Sequence, residues 1–196
     1  MRASFLLVVL FVACAPRLEP KPFDAGTPRM NRVDGGVFTS QEPFDGGVRM
    51  TVDATGTAAW VYFDFDRALE VGDLEDGWDI AFQRFTIKTN GGISGDAGVE
   101  VARVETPNLL EVTTEPPGPW MVDRPDGPDE GSSEDFAFSQ DPAWFEYDVR
   151  FHALTPRPFV YVVRSTEKKL FRVKLRGYYD AVGTSGVMSL DWSPLP

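Results

Sequence analysis

The chain has 196 residues, with 30 acidic side chains against 19 basic ones and a formal net charge of −11. A surface of that sign excludes nucleic acid as the partner, because phosphate recognition needs clustered Lys and Arg, and it is repelled by bare anionic lipid. The single cysteine, Cys14, lies near the N-terminus. The rest of the chain therefore has no disulfide, no thiol nucleophile and no cysteine-type zinc site.

Met1-Arg2 is a short positive start, and Ser4 to Val12 is an apolar run. That run is too short to span a bilayer and suits the core of a signal peptide. It leads into Val12-Ala13-Cys14, which resembles the bacterial lipobox. The resemblance implies a lipoprotein signal peptide over residues 1–13 and an acylated Cys14 as the new N-terminus. Several acyl chains on one residue, palmitate among them, anchor stably where a single chain is marginal. Residues 14–47 then read as a tether: Pro16, Pro20, Pro22, Pro28 and Pro43 alternate with Asp-Gly and Gly-Gly pairs, and no apolar period persists. Stretched out, such a segment reaches on the order of 100 Å.

From residue 48 to 196, period-two alternation predicts one domain built of strands. Val48, Met50 and Val52 alternate with polar residues, and Ala59, Val61, Phe63 and Phe65 form one face of the next run. Trp78, Ile80 and Phe82 share a face, after which Phe85 and Ile87 carry the apolar positions one step out of phase, a shift that predicts a β-bulge. Between these runs, residues 66–76 can hold a short helical turn. Residues 116–128 are rich in Pro, Gly and Asp and read as a long loop of the kind that binds. Phe145, Tyr147, Val149 and Phe151 continue the alternation. Phe159 to Val163 is apolar on both faces and predicts a central strand. Phe171, Val173, Leu175, Gly177 and Tyr179 alternate with a basic stripe, Arg172, Lys174 and Arg176, that is either a solvent face or a dock for an anion. Met188, Leu190 and Trp192 close the chain with core periodicity. The fold class is all-β, with mainly antiparallel sheets.

The residue patterns of serine, cysteine and zinc catalysis are missing, while the 30 carboxylates leave paired-carboxylate chemistry untested by sequence. His152 is the only histidine, and Gly92-Ile93-Ser94-Gly95 lacks the glycine spacing of a nucleophile elbow. A catalytic zinc site typically needs two or three histidines. Asp123, Asp126, Asp129 and Glu130 cluster in the long loop without the spacing of an EF-hand and read as a solvated acidic segment. The glycines of Thr89-Asn90-Gly91-Gly92-Ile93-Ser94-Gly95 read as a turn that needs positive φ, because a P-loop would end in lysine.

Several separated blocks share one likeness. Gly77-Trp78-Asp79-Ile80-Ala81-Phe82-Gln83-Arg84-Phe85 runs into Asn90-Gly91-Gly92-Ile93-Ser94-Gly95. Trp144-Phe145-Glu146-Tyr147 leads to His152-Ala153-Leu154-Thr155-Pro156, and Val160-Tyr161-Val162-Val163-Arg164 precedes Gly177-Tyr178-Tyr179. Together they resemble the HmuY family, bacterial haem-binding lipoproteins of the outer membrane. The resemblance implies a mainly antiparallel β fold that holds its ligand between loop tips. It also implies a role in iron acquisition, with an outer-membrane receptor as partner. The founding member grips haem iron with two histidines. This chain has one, so a bis-histidine site within a monomer is excluded. Relatives without those histidines use methionine, which makes Met121, beside Trp120 in the long loop, the candidate haem ligand alongside His152. Two functions follow: a carrier of haem or a related tetrapyrrole, or a non-catalytic lipoprotein that uses the same fold for a peptide, protein or glycan.

Overall fold

The computed structural model describes residues 31–33, 37–72, 77–126 and 134–196. Cys14, the signal peptide and most of the tether lie outside these residues. In chain order the strands are β1 (Asn31–Val33), β2 (Val37–Phe44), β3 (Gly47–Asp53), β4 (Val61–Asp64), β5 (Leu69–Val71), β6 (Ile80–Gln83), β7 (Thr86–Thr89), β8 (Glu100–Val104), β9 (Trp120–Met121), β10 (Arg124–Pro125), β11 (Glu134–Asp135), β12 (Phe145–Asp148), β13 (Ala153–Pro156), β14 (Val160–Arg164), β15 (Leu170–Tyr179) and β16 (Ser185–Pro194). One turn of 3-10 helix, Leu109–Glu111, is the only helix among the described residues. The expected all-β, antiparallel class is what the chain adopts.

Eight strands form one sheet in the order β1-β2-β3-β16-β15-β14-β8-β9, and four form a second in the order β5-β4-β6-β7. Apolar faces from both sheets meet in one core. Met50 and Val52 of β3, Tyr161 and Val163 of β14, and Met188, Leu190 and Trp192 of β16 face Phe63, Ile80, Phe82 and Ile87 of the smaller sheet. At its centre Phe65 stacks on Phe171 with ring centroids 5.3 Å apart and meets Trp192 edge-on at 5.2 Å. Phe63 adds a further edge contact to Trp192 at 5.9 Å.

The doubly apolar run of β14 has a direct cause. Tyr161 and Val163 point into the main core, while Val160 and Val162 point the other way, under Leu109 and Val112 of the 3-10 segment. The basic stripe of β15 fastens that same cover and leaves no open anion dock. Arg172 is buried and donates to the Val112 carbonyl at 3.1 Å and to Ser193 Oγ at 3.0 Å. Lys174 donates to the Pro107 carbonyl, and Arg176 faces Asp191.

Several sequence expectations are corrected. The tether does not run to residue 47: Val37–Phe44 pair with β3 over Thr39↔Val52 to Phe44↔Gly47. Pro43 is compatible because β1 pairs only with residues 37–39, which leaves the other side of β2 without a paired strand at position 43 among the described residues. The phase slip at Phe85 is no bulge. β6 and β7 are a tight hairpin, Gln83 opposite Thr86, with Arg84 at φ 54° in its two-residue turn. The turn carries no glycine, so the sequence offered no signal for it. Trp78 precedes β6 and lies with Ala81 on the outer face, opposite Ile80 and Phe82. Of the expected helical turn over residues 66–76, the described part is a tight turn closed by the Ala68 amide on the Phe65 carbonyl and then β5, with residues 73–76 outside the described residues. The 116–128 loop contributes β9 to the edge of the large sheet. Phe145 and Tyr147 are in a strand, but Val149 and Phe151 sit at an exposed hairpin tip.

The segment from Gly77 to Gly95 is a structural joint. Asp79, fully buried, accepts the Phe65 amide at 2.8 Å on one oxygen and the Thr166 amide at 2.7 Å on the other. Asn90 donates from its side chain to the Trp78 carbonyl at 2.9 Å. A Cβ on Gly91 would collide with the Val99 carbonyl, and one on Gly92, at φ +62°, with the Asp123 carbonyl. Positive φ therefore explains one of these glycines and close backbone approach explains both.

Two predictions follow from the core. Phe65→Ala removes a ring held on three sides by aromatics, and we expect it to lower unfolding free energy by about 3–5 kcal/mol, read from urea unfolding; a loss under about 1 kcal/mol contradicts this packing. Glu70 is 6 % exposed, and burial pushes its carboxyl up from the ordinary 4.5 to about 7, against hydrogen bonds from Thr39. The folded state thus holds a proton that the unfolded chain has released. Its contribution to stability is full below about pH 4.5 and is lost as pH rises through 7. Glu70→Gln should remove this slope and be more stable than the parent at pH 8 by about 2 kcal/mol, measured by urea unfolding across pH.

Candidate functional site

An open groove of about 730 Å3 lies where the β6–β7 turn, the β12–β13 hairpin and the β15–β16 connection converge. Its size falls within the range of small-molecule pockets, roughly 300–1,000 Å3. Its walls are mostly aromatic. Phe85 from the turn meets Phe145 of β12 edge-on at 5.8 Å and Tyr178 of β15 at 6.4 Å. Tyr178 and Tyr179 are adjacent in sequence, yet both line the groove. Register shifts on either side of Gly177 make this possible, since an irregular ladder re-aims side chains that a regular strand would send to opposite faces.

Rigid neighbours fix these walls. The buried Trp144 indole donates to the Phe85 carbonyl at 3.1 Å and pins the turn from below. Tyr179 Oη accepts the Leu154 amide at 3.0 Å and ties the β13 strand to the large sheet. Arg84 supplies a cation at one wall, with its guanidinium set by the Thr55 and Ser185 carbonyls at 3.1 and 3.0 Å and by Ser185 Oγ at 2.8 Å. The rim is apolar and exposed: Val149 and Phe151 at one hairpin tip, Val182 at the other.

His152 lines this groove. It occupies the β12–β13 turn at φ 51°, and its Nδ1 lies 2.5 Å from Tyr147 Oη. Tyr147 is half exposed and follows Phe145 on the same face of β12. Met121 and Trp120 lie elsewhere. They form the edge strand β9, paired with Val101 and Ala102. Met121 packs against the main core, and Trp120 packs beside the outer cluster with the Arg164 guanidinium 4.0 Å above its ring. The structure therefore brings His152 to the groove and leaves Met121 and Trp120 outside it. Tyr147, Tyr178, Tyr179 and Phe85 were not singled out as site residues from sequence, where they read as strand periodicity. The adjacent Tyr178-Tyr179 pair, which breaks that alternation, was the available signal.

Two acidic groupings are structural. Asp123 is buried and accepts the Thr89 and Ala137 amides at 2.7 and 2.8 Å, which removes it from any solvated acidic loop; Asp129 and Glu130 lie outside the described residues. Asp64, Asp66 and Asp79 bring carboxylate oxygens within 4.8 Å of one another. Arg67 pairs with Asp64, Lys169 lies 3.2 Å from Asp66, and Asp79 is held by its two amides, so the cluster carries its own countercharges.

The fold and groove define an all-β, antiparallel two-sheet domain with an aromatic cleft at the ends of its strands. The HmuY protein family model matches residues 56–148. Solved structures agree in fold. A Bacteroides fragilis protein described as a lipoprotein superposes with a TM-score of 0.60 at 22% identity, covering 77% of this chain and 92% of that one. A Bacteroides vulgatus protein described as HmuY-like and heme binding gives 0.56 at 21%, covering 74% and 89%. The apo HmuY analog of Tannerella forsythia gives 0.58 at 17%, covering 81% and 97%. No curated protein matches the chain.

Proposed function

We propose that this protein is an exported, lipid-anchored binding protein that takes haem or a related flat tetrapyrrole into the aromatic groove and performs no chemistry on it. The observation that carries the reading is the groove itself. Phe85, Phe145, Tyr178 and Tyr179 offer faces and edges for a planar macrocycle, Arg84 offers a cation for a carboxylate, and His152 with Tyr147 offers donors to a metal. The match to the HmuY family and the heme-binding description of the Bacteroides vulgatus neighbour support the ligand class. The leader, the lipobox-like Val12-Ala13-Cys14 and the Bacteroides fragilis neighbour described as a lipoprotein support the anchor at the outer membrane or cell surface. The exposed apolar tips Val149, Phe151 and Val182 favour a second reading, in which the same end of the domain docks a protein partner such as an outer-membrane receptor.

Haemin titration tests the first reading. A Soret shift should appear with the unaltered protein, weaken at least tenfold in Phe85→Glu, where a charge enters the aromatic wall, and persist in Met121→Ala. No shift, or a shift lost only with Met121, rejects the groove as the haem site. For the anchor, cells fed labelled palmitate should label the protein, and Cys14→Ser should abolish the label; equal labelling of the variant contradicts acylation at Cys14.

A further inference from the structure

We infer that the iron-binding atom of the groove is Tyr147 Oη, and that His152 is a positioning residue that takes the phenol proton and holds the resulting phenolate. This inference rests on the haem reading above and names the ligand within it. The carrying observation is the 2.5 Å contact between Tyr147 Oη and His152 Nδ1 on the wall of the groove.

Three features favour the oxygen over the imidazole. Tyr147 stands on β12, in ladder register with Leu154 and on the same face as Phe145, so a strand fixes its direction. His152 stands in the turn at φ 51° and is exposed, so its ring is set mainly by the phenol it touches. A site atom on a regular strand is held more precisely than one on a turn. Ferric iron also accepts a phenolate oxygen as an axial ligand, as other haem proteins with tyrosine ligation show. A metal-bound histidine usually directs its second nitrogen at a strong acceptor such as a carboxylate or carbonyl. Here that nitrogen faces a neutral hydroxyl, which is a better donor than acceptor.

The exchange balances without any further reagent. With ferric haem bound, the phenol proton would pass to His152 Nδ1 across the 2.5 Å contact, and Tyr147 Oη would hold the iron at the position a water gives up. No electron moves, and the gained positive charge on His152 stays beside the phenolate it stabilises. The arrangement also explains how a chain with one histidine serves this ligand class: the histidine assists a ligand and does not need a second copy of itself.

The test uses the unaltered protein, Tyr147→Phe and His152→Gly, each titrated with haemin and with iron-free protoporphyrin IX. Phenylalanine keeps the ring, and glycine suits the positive φ of position 152. In the unaltered protein, haemin should give a visible phenolate-to-iron charge-transfer band and phenolate ring modes in resonance Raman spectra excited into it. Tyr147→Phe should lose both signals and bind haemin at least tenfold more weakly, while its affinity for iron-free protoporphyrin stays within twofold of the parent. His152→Gly should keep the phenolate modes with weaker haemin binding. Unchanged haemin spectra in Tyr147→Phe overturn the assignment while leaving the haem reading standing. A phenolate signature that survives in Tyr147→Phe, or an equal loss of affinity for the iron-free porphyrin, overturns it as well. Absence of any Soret shift in the unaltered protein overturns the haem reading and the assignment together.

Discussion

The arrangement of this domain depends on buried aspartates that accept backbone amides across the gap between its two sheets. Asp79 takes the Phe65 amide at the end of β4 and the Thr166 amide in the turn between β14 and β15. Asp123 takes the Thr89 amide at the end of β7 and the Ala137 amide beyond β11. Burial raises both carboxyls above their usual range, against the hydrogen bonds that favour the charged form. Such bonds are stronger than neutral ones, but they offset desolvation only when the geometry is complete. Hydrophobic burial alone is non-directional and would let the sheets slide. The amide pairs fix which end of the small sheet meets which turn of the large one.

That fixed relation positions the groove. The β6–β7 turn presents Phe85, and it can face Tyr178 and Phe145 only because the sheets are held in one relative placement. Of the residues that carry the family likeness in sequence, Asp79, Asn90, Gly91 and Gly92 lie in this joint, while Arg84, Phe85, Phe145, Tyr147, His152, Leu154, Tyr178 and Tyr179 line the groove. The likeness therefore covers both the frame and the walls of the groove. The lining residues come from turns and strand ends, where side chains can change without disturbing the frame.

Apolar burial is divided in a way that serves the same end. The main core is dry and aromatic, and Arg172 and Lys174 clamp the outer cover of β14 through carbonyl acceptors. At the groove end the cover stops, and Phe85, Phe151 and Val182 stand in solvent. Exposed apolar groups gathered around a cleft mark a surface that gains by being covered.

The sequence by itself determined the class of fold, because period-two alternation in Val48–Val52, Val61–Phe65 and Met188–Trp192 admits only strands with one buried face. It also showed β14 as central and Met188 as core, since burial on both faces leaves no polar positions. The single histidine excluded a bis-histidine site by count alone. The hairpin at Arg84-Phe85 was not legible, because its turn has none of the residues that mark positive φ. The end of the tether at β2 was not legible either, because Thr39 and Gln41 are polar residues buried by their neighbours. Only the tertiary structure decided that His152 meets Tyr147 in a groove with Phe85 and Tyr178, while Met121 sits on a distant sheet edge. Local periodicity encodes which face a side chain takes, but proximity between residues 60 to 100 positions apart depends on how whole sheets dock, and no short-range pattern records that.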